Sequence, residues 1–247
     1  MSKAELLMRA GGRLSAFGRF RRVLAGSMAR AGVWATPRVA SRELARAAAA
    51  TRPPSSVALR NAESLVDQVC PPWLAGHCRR TWSWAAALGE VTGTRCDREL
   101  LYLAALFHDL GLSEAYAPPP GECFAVTGAR AARAWAIEAG FGDARARRVA
   151  EAIALHLEVR VAVVEGVEAH LLHAGAACDV LGARLRQLPP ALVDEVLALY
   201  PRGEMSSALA ESLRKQAEQA PDSRIGLYCR RFDFARRAAT TTLGRAP

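Results

Sequence analysis

The 247-residue chain lacks an uninterrupted apolar stretch of about 18 residues, which a membrane-spanning helix would need. Aromatic residues are few, at 6%, and no alternation of apolar and polar residues persists long enough to indicate a β-sheet. No compact apolar segment with a small-residue cleavage site stands at the N-terminus, so we expect no secretory signal and a cytoplasmic location. Abundant alanine, leucine and arginine favour helices, and the length suits one sizeable domain better than two.

Paired cysteines are also missing. None of the six cysteines forms a C-x-x-C pair, and their spacings match no zinc knuckle. An even number allows disulfides, but a chain of this length without a secretory signal is expected to keep reduced thiols. The six positions are Cys70, Cys78, Cys96, Cys123, Cys178 and Cys229.

Acidic residues are scarce in one segment only. Residues 1–52 carry eleven basic and two acidic residues, whereas residues 53–247 carry 22 of each, so the net charge of +9 lies in the first fifth of the chain. A nucleic-acid-binding domain would spread that excess over its folded body, so nucleic acid is not an expected partner. We interpret residues 1–52 as a basic helical extension in a bacterial protein, with an organellar transit peptide as the alternative. Weak contact with an anionic membrane surface is a further expectation.

The segmentation of the chain predicts an all-α protein. The extension is expected to contain one or two helices, interrupted near Gly11-Gly12, Gly26 and Pro37. Residues 53–247 are predicted to form one catalytic domain, with a motif core at about 70–185 and C-terminal helices at 186–240. Residues 159–164 are a candidate for a short extended stretch. Helices are predicted at 56–69, 73–91, 97–110, 125–139, 143–157, 167–186, 191–199, 204–219 and 222–238.

The most informative feature is His108-Asp109, at the end of the strongly apolar segment 100–107, with Gly111 as a helix C-cap signal. Polar groups buried there need partners. Asp179 lies in an apolar helix without a basic residue one turn away, so it is expected to need an external cation. The histidines are few and all lie in the predicted motif core or next to it: His77, His108, His156, His170 and His173.

Two imidazoles and two carboxylates from three helices suit a divalent ion such as zinc, iron, manganese or cobalt, and leave a position for water. The order His77, His108-Asp109 and Asp179, with spacings of 31 and 70 residues, resembles the HD-domain superfamily of metal-dependent hydrolases. The resemblance implies that these four residues are the metal ligands, in an HD-type helical bundle, with zinc the first choice.

Local sequence narrows the resemblance to the cyanamide-hydratase-like branch, in which a zinc-bound water adds to a small nitrile-like carbon. Ala125 stands where that branch usually has glutamate, which leaves the substrate open. The segments that carry this resemblance are 106–111, 124–129, 152–156 and 175–182.

These observations predict a metal-dependent hydrolase or hydro-lyase acting on a small molecule. One alternative is an HD phosphohydrolase acting on a nucleotide or phosphate monoester, although such enzymes usually place a glutamate soon after the His-Asp pair and Glu114 is the first acid here. The other is a regulatory or binding protein with a structural metal. A homo-oligomer is compatible with each.

Asp109 and His156 are the predicted proton-transfer groups. His156, His173, Phe124 and Thr127 are predicted to contact substrate. One metal ion is favoured over two; a second would use His156 together with His170 or His173. The neighbouring Arg79 and Arg80 are interpreted as surface or ion-pair residues rather than substrate ligands, and Trp82, Trp84 and Trp135 as core.

Overall fold

The computed structural model describes the backbone of residues 1–32 and 44–243. Within these ranges the chain forms thirteen α-helices and no β-strand, which confirms the predicted all-α class. Isolated 3-10 turns connect several of the helices. The helices are α1 (Lys3–Arg9), α2 (Ala16–Gly32), α3 (Leu44–Ala50), α4 (Val57–Val69), α5 (Pro72–Thr92), α6 (Arg98–Phe107), α7 (Phe124–Glu138), α8 (Asp143–Leu155), α9 (Val167–Leu181), α10 (Pro190–Leu199), α11 (Met205–Gln219), α12 (Arg224–Phe232) and α13 (Phe234–Thr240).

Local sequence signals set several helix ends. The side chain of Ser56 accepts from the backbone N–H of Leu59 and begins α4, and Asp97 does the same for α6. Pro72 occupies the first turn of α5, where a missing N–H costs nothing. Gly182 adopts a left-handed conformation with φ 65° and ends α9, so the predicted helix 167–186 is five residues too long.

Three other local predictions are wrong. Gly26 does not interrupt α2, which continues to Gly32; Pro37 lies outside the described residues. The predicted helix 222–238 is divided into α12 and α13 at Asp233, whose φ of 53° is tolerated by aspartate better than by most side chains. Residues 159–164 form no strand, because the carboxylate of Glu165 accepts from the backbone N–H of Ala162 and stabilises a 3-10 turn.

The core is organised around α5, which is buried along most of its length, and α6, in which residues 100–107 are all buried. Helix α9 crosses α5 closely at Gly175. A Cβ atom there would lie 2.4 Å from the carbonyl oxygen of Thr81, so only glycine permits the approach. This contact brings His77 on α5 next to Asp179 on α9.

The N-terminal helices pack against the bundle. Ala4 and Leu7 of α1 are buried in the main core cluster. Glu158, three residues after the end of α8, is paired with Arg22 at 2.5 Å, with Lys3 at 3.2 Å and with Arg224 at 3.2 Å. The division of the chain at residue 52 stays a prediction, but residues on both sides of it share one core and one ion-pair network.

None of the described helices combines the length and the apolar character that crossing a bilayer requires. None of the six cysteines is joined to another in the structure, and their redox state stays a prediction. Trp82 and Trp84 are buried, as predicted for core residues, and Trp135 packs against the main core cluster.

Glu158 should make folding sensitive to acid. Burial opposes its charge, but Arg224 and Arg22 outweigh that effect and lower the pKa of Glu158 from 4.5 to about 2. Its stabilising contribution is therefore complete above pH 4.5 and is lost as the pH falls toward 2. We expect Glu158→Gln to lower the free energy of unfolding by roughly 3 kcal/mol at neutral pH, because the buried Arg224 and the partly buried Arg22 lose their counter-charge.

Urea unfolding at neutral pH and at acidic pH measures the free energy of unfolding of both proteins. The difference in this free energy between wild type and Glu158→Gln should become smaller on acidification. Asp143→Asn, which removes an exposed ion pair with Arg133 and Arg147, is the control and should change stability little. A gap that stays constant with pH would show that Glu158 stabilises the fold through packing rather than through charge.

Candidate metal centre

His108 and Asp109 stand where α6 ends. His108 is the last residue with helical backbone angles, and a 3-10 turn at 110–112 follows Asp109. Gly111 is not the left-handed C-cap that the sequence suggested. It is required for another reason: a Cβ atom there would lie 2.3 Å from the carbonyl oxygen of Phe124, so glycine allows α7 to approach the His-Asp pair.

Three histidines surround the carboxylate of Asp109 in the protein interior. Nε2 of His77 lies 3.1 Å from Nε2 of His108 and 3.4 Å from Oδ2 of Asp109. Nε2 of His108 lies 3.5 Å from the same oxygen, while Nε2 of His156 lies 3.4 Å from Oδ1. All four side chains are buried. Helices α5, α6 and α8 therefore each contribute to one polar cluster.

The hydrogen bonds made by the Nδ1 atoms of the three histidines determine which ring nitrogen faces Asp109. Nδ1 of His77 donates to Asp179 at 2.7 Å, Nδ1 of His108 to the carbonyl of Ala105 at 2.8 Å, and Nδ1 of His156 to the carbonyl of Ile153 at 2.7 Å. These acceptors hold a proton on Nδ1, so the neutral form of each ring has its lone pair on Nε2, which faces Asp109.

Two of the three groups already have the protonation state that binds metal. Burial, partly opposed by Asp109, lowers the pKa of His108 to about 3, so His108 is neutral at physiological pH. Burial disfavours the charge of Asp109, but the surrounding histidines outweigh it and hold the pKa of Asp109 well below its usual range. Burial likewise opposes a charge on His77, but Asp109 and Asp179 outweigh it and raise the pKa of His77, so a metal ion at its Nε2 would displace a proton.

Asp179 is placed behind this cluster rather than in it. Its carboxylate contacts Nδ1 of His77, the edge of the ring opposite to Nε2. It also accepts two hydrogen bonds from Arg80, at 2.8 and 3.0 Å, and one from the indole of Trp84 at 3.0 Å. In this arrangement Asp179 positions His77, as carboxylates behind metal-binding histidines commonly do. Its role as a direct ligand stays a prediction.

Arg80 supplies the positive charge that Asp179 was expected to need from an external cation. Its side chain is fully buried, and its Nη1 donates to the carbonyls of Tyr200 and Pro201. Arg80 was predicted to be a surface or ion-pair residue; the ion pair is present and the surface position is wrong. The spacing of His77, Arg80 and Trp84 on one face of α5 was the signal that could have identified this role.

Arg79, by contrast, pairs with Asp67 at the edge of the bundle, at 2.8 Å.

A cavity of about 200 Å³ opens beside the cluster. His77, His108, Asp109 and His156 form its polar end, and the predicted contact residues Phe124 and His173 also line it. Thr127 is not among the lining residues; its hydroxyl donates to Glu122 at 2.8 Å. The rest of the wall is mainly apolar and includes Val180, Leu209, Leu213, Phe232 and Phe234.

The residues present fit a divalent ion. Among the described residues, His77, His108 and Asp109 form a group whose donor atoms all lie within 4.8 Å of one another. Oδ1 of Asp109 is buried without a hydrogen-bond partner, and Oδ2 is faced by Nε2 of both His77 and His108. A bound cation would resolve both features. Nδ1 atoms of His173 and His170 donate to the carbonyls of His156 and Val161, and neither residue belongs to the group.

The family model described as HD domain matches residues 74–199, just over half of the chain. No curated protein matches the chain. The matched segment contains every residue of the cluster and also Asp179.

Metal content tests the cluster directly. We expect the purified protein to bind one equivalent of a divalent metal, and His77→Ala and His108→Ala to lose it. His170→Ala is the matched control, because His170 lies outside the group. Elemental analysis and calorimetric titration with zinc measure the outcome. Equal metal content in His108→Ala and wild type would contradict the assignment.

The Asp179→Asn variant distinguishes a carboxylate that orients His77 from a carboxylate that binds the metal itself. If Asp179 acts through His77, metal affinity should fall by roughly 10–100-fold while the stoichiometry is kept. If Asp179 is itself a ligand, saturation should not be reached at accessible zinc concentrations. Circular dichroism of the metal-free variant controls for misfolding, since Arg80 would lose its buried partner. Unchanged affinity would exclude both roles.

Proposed function

The chain belongs to the HD domain family, and on that basis we propose that it is a metal-dependent, water-activating enzyme, a hydrolase or hydro-lyase, whose substrate is a small molecule without phosphate. One observation supports the proposal above others: three imidazole rings and a carboxylate converge at the polar end of a mainly apolar cavity. Such convergence in the interior is unfavourable unless a cation is bound there.

His77, His108 and Asp109 would hold the ion. Imidazole and carboxylate donors suit zinc best, and they also suit iron, manganese or cobalt. A divalent ion in this position supplies Lewis acidity, which makes water a nucleophile at neutral pH. The apolar walls of the cavity limit competing solvent and strengthen the electrostatic interactions inside it.

Asp109 and His156 are the proposed proton-transfer pair. The two oxygens of Asp109 face different partners: Oδ2 faces His77 and His108, and Oδ1 faces Nε2 of His156 at 3.4 Å. Oδ1 can therefore accept a proton from water in the cavity and pass it to Nε2 of His156, which can then deliver that proton to the substrate. His173, whose Nδ1 donates to the carbonyl of His156, supports the backbone at this residue.

The lining of the cavity supports a substrate without phosphate. Phosphate recognition uses converging lysine or arginine side chains. Among the described lining residues, Arg237 is the one such side chain, and it is exposed at the rim. Ala125, at the position of the family glutamate, is buried in an apolar cluster with Phe124 and Val126, so it adds no charge near the site. We propose a cyanamide-hydratase-like reaction on a small neutral molecule.

The two other functions stay predictions. A phosphohydrolase would need several converging cations, whereas the described part of the cavity wall offers Arg237 alone. A regulatory protein with a structural metal would not need an open cavity beside the ion.

Turnover of small nitriles, with cyanamide as the first substrate, tests the proposal. We expect the metal-loaded protein to hydrate such a compound, and His156→Gln to lower kcat by about 10²–10⁴-fold while metal content is kept. His170→Ala is again the control. If the loaded wild type acts on a nitrophenyl phosphate and on no nitrile, the phosphohydrolase alternative would replace this proposal.

A further inference from the structure

Helix α2 has two faces of different character. Its inner face is attached to the bundle: Arg22 pairs with Glu158, and Gly26 packs against the ring of Phe232, where a Cβ atom would lie 2.5 Å from the nearest carbon. Its outer face carries large apolar side chains that remain exposed, Phe17 at 69%, Phe20 at 65% and Leu24 at 55%. These positions recur at helical spacing, so they form one continuous stripe.

The charges around this stripe are of one sign. Helix α2 contains no acidic residue; Arg21 on this helix and Arg13, three residues before it, are both exposed. The guanidinium of Arg21 lies 5.9 Å from the centre of the Phe17 ring. The acids that contact α2 are already paired, Asp222 with Arg19 and Glu158 with Arg22. Described residues on the outer side of α2 therefore offer apolar area and positive charge together.

We propose that the outer face of α2 binds an anionic lipid surface. Aromatic and leucine side chains would enter the boundary between headgroups and acyl chains, while the arginines meet acidic headgroups; this is the arrangement of helices that lie in a membrane interface. The excess of +9 in residues 1–52, next to a neutral body, orients the molecule with α2 toward such a surface. A nucleic-acid partner would use the arginines but gain nothing from the apolar stripe.

Vesicle co-sedimentation of the full chain tests this proposal. We expect binding to vesicles of equimolar phosphatidylcholine and phosphatidylglycerol, and weak binding to phosphatidylcholine alone. Phe17→Ser/Phe20→Ser should lower the partition coefficient by roughly tenfold for each side chain. Arg13→Gln/Arg21→Gln should lower it by about fivefold for each charge, in a salt-sensitive way.

Val57→Ser/Leu199→Ser is the matched control, because both side chains are exposed, at 67% and 68%, on helices α4 and α10. It should bind vesicles like the wild type. Equal binding by the phenylalanine variant, or no preference for anionic vesicles, would overturn the proposal. The proposal would also be overturned if sedimentation velocity showed a dimeric wild type and a monomeric phenylalanine variant with unchanged vesicle binding. Tight binding to a DNA duplex that depends on the arginines alone would overturn it as well.

Discussion

The buried ion pair between Arg80 and Asp179 joins the two central helices and orients the candidate metal centre. Arg80 lies one turn beyond His77 on α5, and its two hydrogen bonds fix the carboxylate of Asp179 on α9. That carboxylate in turn holds the ring of His77 with Nε2 directed at Asp109. A buried pair of this kind adds little net stability, since desolvation offsets the attraction, but it specifies one geometry. Here the ion pair fixes the direction in which Nε2 of His77 points.

Much of the fold followed from local signals. Apolar periodicity and capping residues predicted most helices from α4 onward, because such signals act within a few residues. The predictions failed where distant segments decide. Gly26 looked like a helix breaker, yet it permits contact with Phe232, some 200 residues away. Gly111 looked like a C-cap, and its use depends on the backbone of Phe124.

The candidate site was predictable in its residue types and only partly in its arrangement. The order of histidine and aspartate residues indicated a cation site, and the structure does bring His77, His108 and Asp109 together. Sequence alone could not show which edge of His77 faces Asp179, because that depends on how α9 crosses α5 at Gly175. The buried position of Arg80 was also missed, because the sequence does not reveal whether a charged side chain has a buried partner of opposite charge.

The cavity beside the polar cluster is lined by two parts of the chain. Its polar end is formed by residues inside the 74–199 segment that matches the HD domain family, whereas Gly26, Leu213, Tyr228, Phe232 and Phe234 on its wall lie outside that segment. Residues beyond the matched segment therefore help to shape the cavity. Substitutions in α2, α12 and α13 would change its size and shape while every side chain of the polar cluster stays the same.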